Sequence, residues 1–164
     1  YNSLLNFDFR IFFNKFNRKT LFMSTVQQLL STKPDQVYSV QPETSVLEAL
    51  QLMMEHNISS LLVKKDHVLA GIFTERDYAR KIVLHGKSSS NTRIEEVMTS
   101  DMVTVTPQHT IENCMKMMTD QRIRHLPVLV GDEVKGIVSI GDVVKFIIED
   151  QKQTIDALQS YIHG

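Results

Sequence analysis

Residues 71–77 read GIFTERD, and residues 136–142 read GIVSIGD. In each, a glycine and two apolar residues lead to a hydroxyl residue, with an aspartate three places further on: Thr74 and Asp77, then Ser139 and Asp142. The offset is 65 residues, and it also aligns Pro42 with Pro107, Val40 with Val105 and Met53 with Met118 without a gap. Ile58/Ile123, Leu61/Leu126, Val63/Val128 and Ile72/Ile137 are identical at the same offset. A unit of about 60 residues is marginal on its own, so a doubled unit predicts two copies stacked into one globule by a pseudo-two-fold axis.

Each copy carries the same predicted elements, in the order β-α-β-β-α. A short strand (Tyr38–Val40, Val103–Val105) runs into Pro42 or Pro107. A helix then starts at Ser45 or Thr110, where Ser45 and Glu48 have capping-box spacing. Its apolar stripe is Val46, Ala49, Leu50 and Met53 in the first copy, and Ile111, Cys114, Met115 and Met118 in the second. Cys114 therefore reads as a small buried hydrophobe, with a redox-active thiol as the alternative. The runs SLLVKK/VLAGIFT and HLPVLV/VKGIVS predict hairpins joined by short polar turns. Pro127 stands early in its run, where a missing N–H is tolerated. The second helices start near Glu75 and Ile140, and the first ends near Gly86. The fold class is α/β. The divisions are an extension at 1–22, unit one at 23–88, unit two at 89–150 and a helical tail at 151–164.

The 164 residues are 42% hydrophobic and 23% charged, in the ordinary globular range, and the net charge is −1. No overall field recruits nucleic acid or an anionic membrane. One cysteine excludes an internal disulfide, and the six histidines lack metal-ligand spacing, so no metal is expected. Residues 1–22 hold six of the eight phenylalanines and four of the basic residues. That segment predicts a disordered or peripheral extension, either a presequence, a surface helix or a tag-like addition. In the tail, Ile155, Leu158 and Ile162 form a stripe with Tyr161 beside it, suited to packing on the module or to a subunit contact.

The doubled phrase supports two readings. Thr74 and Ser139 can be N-caps, with Asp77 and Asp142 complementing the helix dipole. Alternatively, the free N–H groups of a helix start suit a phosphate, and a carboxylate can take both ribose hydroxyls. Ile58/Ile72 or Ile123/Ile137 then offer an apolar slot for a base. Gly71 and Gly136 permit close approach of a backbone or ligand. The copies differ: Glu75-Arg76 in the first phrase faces Ile140-Gly141 in the second. Arg122, Arg124 and His125 replace Asn57, Ser59 and Ser60, and such groups can neutralise phosphate, Arg best. The two clefts are expected to be unequal.

The doubled G-h-h-[ST]-x-x-D phrase, in doubled β-α-β-β-α units over residues 24–150, resembles the CBS-domain pair, or Bateman module. GIFTERDYARK and RHLPV look like the small two-CBS proteins of bacteria and plant organelles. The resemblance implies sheet-to-sheet packing around two clefts, a flat homodimer, and an adenosine ligand: AMP, ADP, ATP, S-adenosylmethionine or NAD(H). It implies that Asp77 and Asp142 hold ribose hydroxyls and that Thr74 and Ser139 contact ribose or phosphate. Tyr38 and Val103 would offer backbone groups to adenine. The nucleotide-binding set is thus Thr74, Arg76, Asp77, Ser139, Asp142, Arg124, His125, Tyr38, Val103, Ile58 and Ile123, with no catalytic residue and no catalytic cofactor. The expected function is a non-enzymatic, cytoplasmic or organelle-matrix sensor acting on an unknown protein partner. The alternatives are a ligand-free dimerisation module or the regulatory fragment of a nucleotide-metabolising dehydrogenase.

Overall fold

The structure, a computed structural model, describes residues 24–163. The extension at 1–22 and the side chains of Leu158, Tyr161 and Ile162 in the tail stripe lie outside the described residues.

A first helix absent from the sequence expectation, α1 (Val26–Ser31), opens the described chain, closed by a capping box between Thr25 and Gln28. Unit one then follows with β1 (Ser39–Val40), α2 (Val46–Glu55), β2 (Ser60–Lys65) and β3 (Val68–Thr74). β1 lies parallel to β2, and β2 is antiparallel to β3. After β3 a single α-turn, α3 (Glu75–Asp77), passes into a π-helical stretch (Tyr78–Ile82) and a 3-10 turn (Val83–His85). It stops at Gly86, whose φ of 60° is the left-handed conformation expected of a C-cap glycine. Unit two has α4 (Ile111–Gln121), the antiparallel pair β4 (His125–Val130) and β5 (Glu133–Ser139), and one long α-helix, α5 (Ile140–His163). Among the described residues no helix is long and apolar enough to cross a membrane.

The predicted hairpins hold. Lys65 pairs with Val68 across Asp66 and His67, both left-handed at φ 48° and 69°, the conformation a tight two-residue turn between twisted strands requires. Each hairpin carries a register shift beside its glycine, after Val63 in one and after Val128 in the other. The predicted strand Val103–Val105 is corrected. Leu62 N donates to the Tyr38 carbonyl in unit one, but the residue 65 places on from Leu62 is Pro127, which has no N–H to give Val103. Only the bridge from Val105 to Val128 remains.

The helix stripes bury as expected: Val46, Ala49 and Met53 in the first core, Ile111, Cys114, Met115 and Met118 in the second. Burial also pushes the Cys114 thiol up to about 11, so the side chain behaves as a hydrophobe rather than a thiolate. The cores do not follow chain order. Val26 and Leu29 of α1 belong to the second core, whereas Ile94 and Val97, from the segment between the units, belong to the first. Backbone bonds repeat this exchange. Val26 N and Gln27 N donate to the carbonyls of His109 and Pro107, each at 2.9 Å. Ile94 N and Glu95 N donate to those of Thr44 and Pro42, also at 2.9 Å.

The repeated glycines serve this crossing. A Cβ on Gly71 would lie 2.6 Å from Met98 Sδ and 3.1 Å from the Thr99 carbonyl; one on Gly136 would lie 2.8 Å from Leu30 Cδ2. Leu30 can rotate away, but the Thr99 oxygen is backbone and is bound to the same strand through Ile72. Gly71→Ala should therefore destabilise the fold more than Gly136→Ala, by a difference on the order of 1 kcal/mol or more. Thermal unfolding of the two variants side by side checks this.

Candidate functional site

Both doubled phrases fold as capping boxes at a strand-to-helix junction. Thr74 N and Oγ1 donate to Asp77 Oδ2 at 3.0 and 2.7 Å, and Asp77 N donates back to Thr74 Oγ1. Ser139 N donates to Asp142 Oδ2 at 2.8 Å, and Asp142 N donates to Ser139 Oγ at 3.1 Å. A hydroxyl and a carboxylate three residues apart thus satisfy the first orphan N–H groups of each helix.

Beyond the caps the copies diverge. Asp77 Oδ1 accepts from Thr99 Oγ1 at 3.2 Å and pairs with Lys81 at 2.9 Å. Lys81 also donates to the carbonyls of Val97 and Met98, tying the crossing segment to the carboxylate. Asp142 pairs instead with Lys33, from the segment after α1, at 2.9 Å; the same ammonium donates to the Ile137 carbonyl. Burial alone would raise the Asp142 pKa, but the Lys33 and Ser139 hydrogen bonds outweigh it and hold the carboxyl below its ordinary value.

Around His125 the charges converge from both units. Arg76 of unit one donates through Nη1 to the carbonyl of Arg122, the left-handed cap of α4. His125 Nε2 lies 3.1 Å from Ser59 Oγ, joining β4 of unit two to the start of β2. Burial first, then the fields of Arg124, Arg76 and Lys33, push the His125 pKa down to about 4 against the opposing pull of Asp142. At neutral pH His125 is therefore an uncharged hydrogen-bonding group. Arg124 is exposed.

His125 thus pairs with Ser139 across the second hairpin and lies in the fields of Arg124, Asp142, Arg76 and Lys33, while Thr74 and Asp77 stand at the equivalent junction of the other unit. The remaining sequence-derived residues are mostly engaged in packing. Tyr38 stacks on His56, ring centroids 3.9 Å apart, and its carbonyl is taken by Leu62 N. Ile58 packs against the first core, and Val103 and Ile123 against the second. Lys33, Lys81 and Thr99 are absent from the sequence-derived set. The i,i+4 spacing of Asp77 and Lys81 was a visible signal, whereas Lys33 lies 109 residues from its partner.

Two related units, each with a helix, a hairpin and this junction, match known proteins over most of the described chain. The sequence profile of the CBS domain matches residues 26–84 and 94–149. The chain belongs to the CBS-domain family and carries two such domains. It is 41% identical over 127 residues to the mitochondrial CBS domain-containing protein CBSX3 of Arabidopsis thaliana, covering 74% of this chain but 62% of that relative's length. It is 47% identical to a putative signal-transduction protein with CBS domains from Burkholderia ambifaria, with a TM-score of 0.76, covering 78% of this chain and 96% of that one. The CBS domain pair of protein MJ0100, in complex with 5′-methylthioadenosine and S-adenosyl-L-methionine, aligns at a TM-score of 0.68 and 26% identity over 78% of this chain and 98% of that one.

The depressed His125 pKa carries a sign. Unfolded His125 binds a proton near its ordinary 6.5, and the folded group only near 4, so the unfolded state takes up protons between those values. Stability from this group is complete above about pH 6.5 and falls as pH drops toward 4. Denaturant titrations across that window should show the loss in the native chain and a flatter profile in His125→Gln.

Proposed function

We propose that this chain is a non-enzymatic sensor of adenine nucleotides, whose ligand alters contacts with a protein partner or a second copy of the chain. The observation that carries the reading is the paired hydroxyl–carboxylate junction, Thr74–Asp77 and Ser139–Asp142. It occurs in a family one of whose members, the MJ0100 pair, is complexed with two adenosine derivatives. In this reading Asp77 and Asp142 take ribose hydroxyls, Thr74 and Ser139 meet ribose or phosphate, and Arg76 and Arg124 supply charge. Val103 and Tyr38 border the base, with Ile58 and Ile123 forming the apolar walls. AMP, ADP, ATP and NAD(H) are the candidate ligands.

The chemistry-bearing groups support binding rather than catalysis. Both carboxylates are hydrogen-bonded caps, the thiol is buried and protonated, and His125 is too weak a base at about 4 to activate Ser59. Ribose hydroxyls entering at Asp142 would compete with Lys33 and loosen the segment after α1. Coupling of this kind is typically worth ~1–3 kcal/mol. A homodimer fits the family, and the mitochondrial plant relative supports an organelle matrix as an alternative to the cytoplasm.

Losing a charged hydrogen-bonding group should cost roughly tenfold to a hundredfold in affinity. Isothermal titration with AMP, ATP, NADH and S-adenosylmethionine should show such a loss in Asp77→Ala or Asp142→Ala. Affinity equal to wild type in both variants would reject the site, and no thermal shift at millimolar nucleotide would favour a ligand-free dimerisation module.

A further inference from the structure

The two units cap the start of their first helix alike, up to one partner. In unit one the chain before the crossing segment lies over the N-terminus of α2. The Thr92 carbonyl accepts from Val46 N and the Ser89 carbonyl from Leu47 N, each at 2.9 Å. In unit two Ser24 stands where Thr92 stands, buried like it, and its carbonyl accepts from Ile111 N at 2.9 Å. Asn113 N is capped by Thr110 Oγ1, but among the described residues no carbonyl accepts from Glu112 N. Ser89 lies three residues before Thr92, and Leu21 lies three residues before Ser24. The first N–H groups of a helix depend on such outside partners.

Helix α5 is open beside this point. In unit one the helix after the junction stops at Gly86, and the chain returns over α2 at Ser89. In unit two α5 instead runs on to His163. Ile148 and Ile155, seven residues apart and so on one face, are 58% and 55% exposed. They span about 10 Å along the helix axis. Val143 and Ile147 of α5 share the second core with Val26 and Leu29 of α1 and Ile111 of α4, so the chain enters at Ser24 beside both helices. Residues 1–22 lead into that corner with six phenylalanines, and with Arg10, Lys15, Arg18 and Lys19 against Asp8. From Lys145 onward α5 carries Glu149, Asp150 and Asp156 against Lys145 and Lys152, and Glu112 adds a carboxylate at the open amide. The two surfaces match in apolar character and in charge.

We infer that residues 1–22 dock on the second unit of their own chain. The Leu21 carbonyl completes the N-terminus of α4, and the phenylalanines before it cover Ile148 and Ile155 on α5. The segment is an intrachain cover that closes this helix face to a second copy or another protein. Unit one has no such cover and keeps Leu47, Met54, Val83 and Leu84 exposed.

Photo-crosslinking on the full chain tests this. Ile155 is exposed, so Ile155→p-benzoylphenylalanine places the probe outside both cores. In a mixture of unlabelled and isotope-labelled chains, the expected product joins the probe to a peptide from residues 1–22 of the same chain. Its yield should fall about tenfold or more when Phe12→Ser, Phe13→Ser and Phe16→Ser are combined. Adducts between labelled and unlabelled chains, adducts confined to other parts of the chain, or no adduct would each overturn the docking. So would a yield that the triple serine variant leaves unchanged. Amide exchange read without the probe should be about tenfold or more slower at Glu112 in the wild-type chain than in that variant. Equal exchange in the two would overturn the cap on α4.

Discussion

The exchange of backbone between the two units is the constraint on which the rest depends. Val26 and Gln27 reach the carbonyls of His109 and Pro107, and Ile94 and Glu95 reach those of Thr44 and Pro42. Each pair supplies partners to a proline-led turn that would otherwise leave carbonyls unsatisfied beside a core. The apolar residues that follow, Leu29 and Leu30 in one case and Val97 and Met98 in the other, then complete the opposite unit's core. With the crossing fixed, the glycines of β3 and β5 are committed to it, the strand ends are held in place, and the capped junctions come to lie beside segments from elsewhere in the chain. Lys33 meets Asp142 only because α1 belongs to the second unit's core.

Duplication and divergence act on that frame in different ways. Features that bury apolar surface were kept in register: the helix stripes, the hairpins and the bulges beside Gly71 and Gly136. Features that carry charge moved freely. A lysine faces the capping aspartate in both halves, but it comes from the same helix in one and from a distant segment in the other. Ion pairs at partly exposed sites constrain sequence weakly, since exposed pairs contribute only about 0–1 kcal/mol. The polar character of the two clefts could therefore drift while the architecture stood still.

Much of the fold was legible because its signals are local and repeated. The stripe of Ile111, Cys114, Met115 and Met118, the capping box of Ser45 and Glu48, and the C-cap at Gly86 each lie within a few residues of chain. Helix α1 escaped because six residues make too short an apolar pattern, although the Thr25–Gln28 spacing was a cue. The strand at Val103 failed for a reason written at Pro127, whose missing donor matters only once the two are known to be neighbours. At the site, hydroxyl and carboxylate were readable from spacing. The neutral state of His125 was not, because beyond the adjacent Arg124 it arises first from burial and then from Arg76 and Lys33, which lie on other elements. Long-range electrostatics is the part of a site that a linear pattern hides.

The crossed cores also say something about ancestry. A single unit of this kind would leave its core uncovered at the place where the crossing segment sits, and would carry its own covering segment on the wrong side. Two separate copies would cure each other's deficit by trading those segments, which is the geometry of a swapped dimer. The present chain has that geometry with the two copies joined end to end, so its halves are inherited as one object. A cut between them would part each core from the segment that completes it.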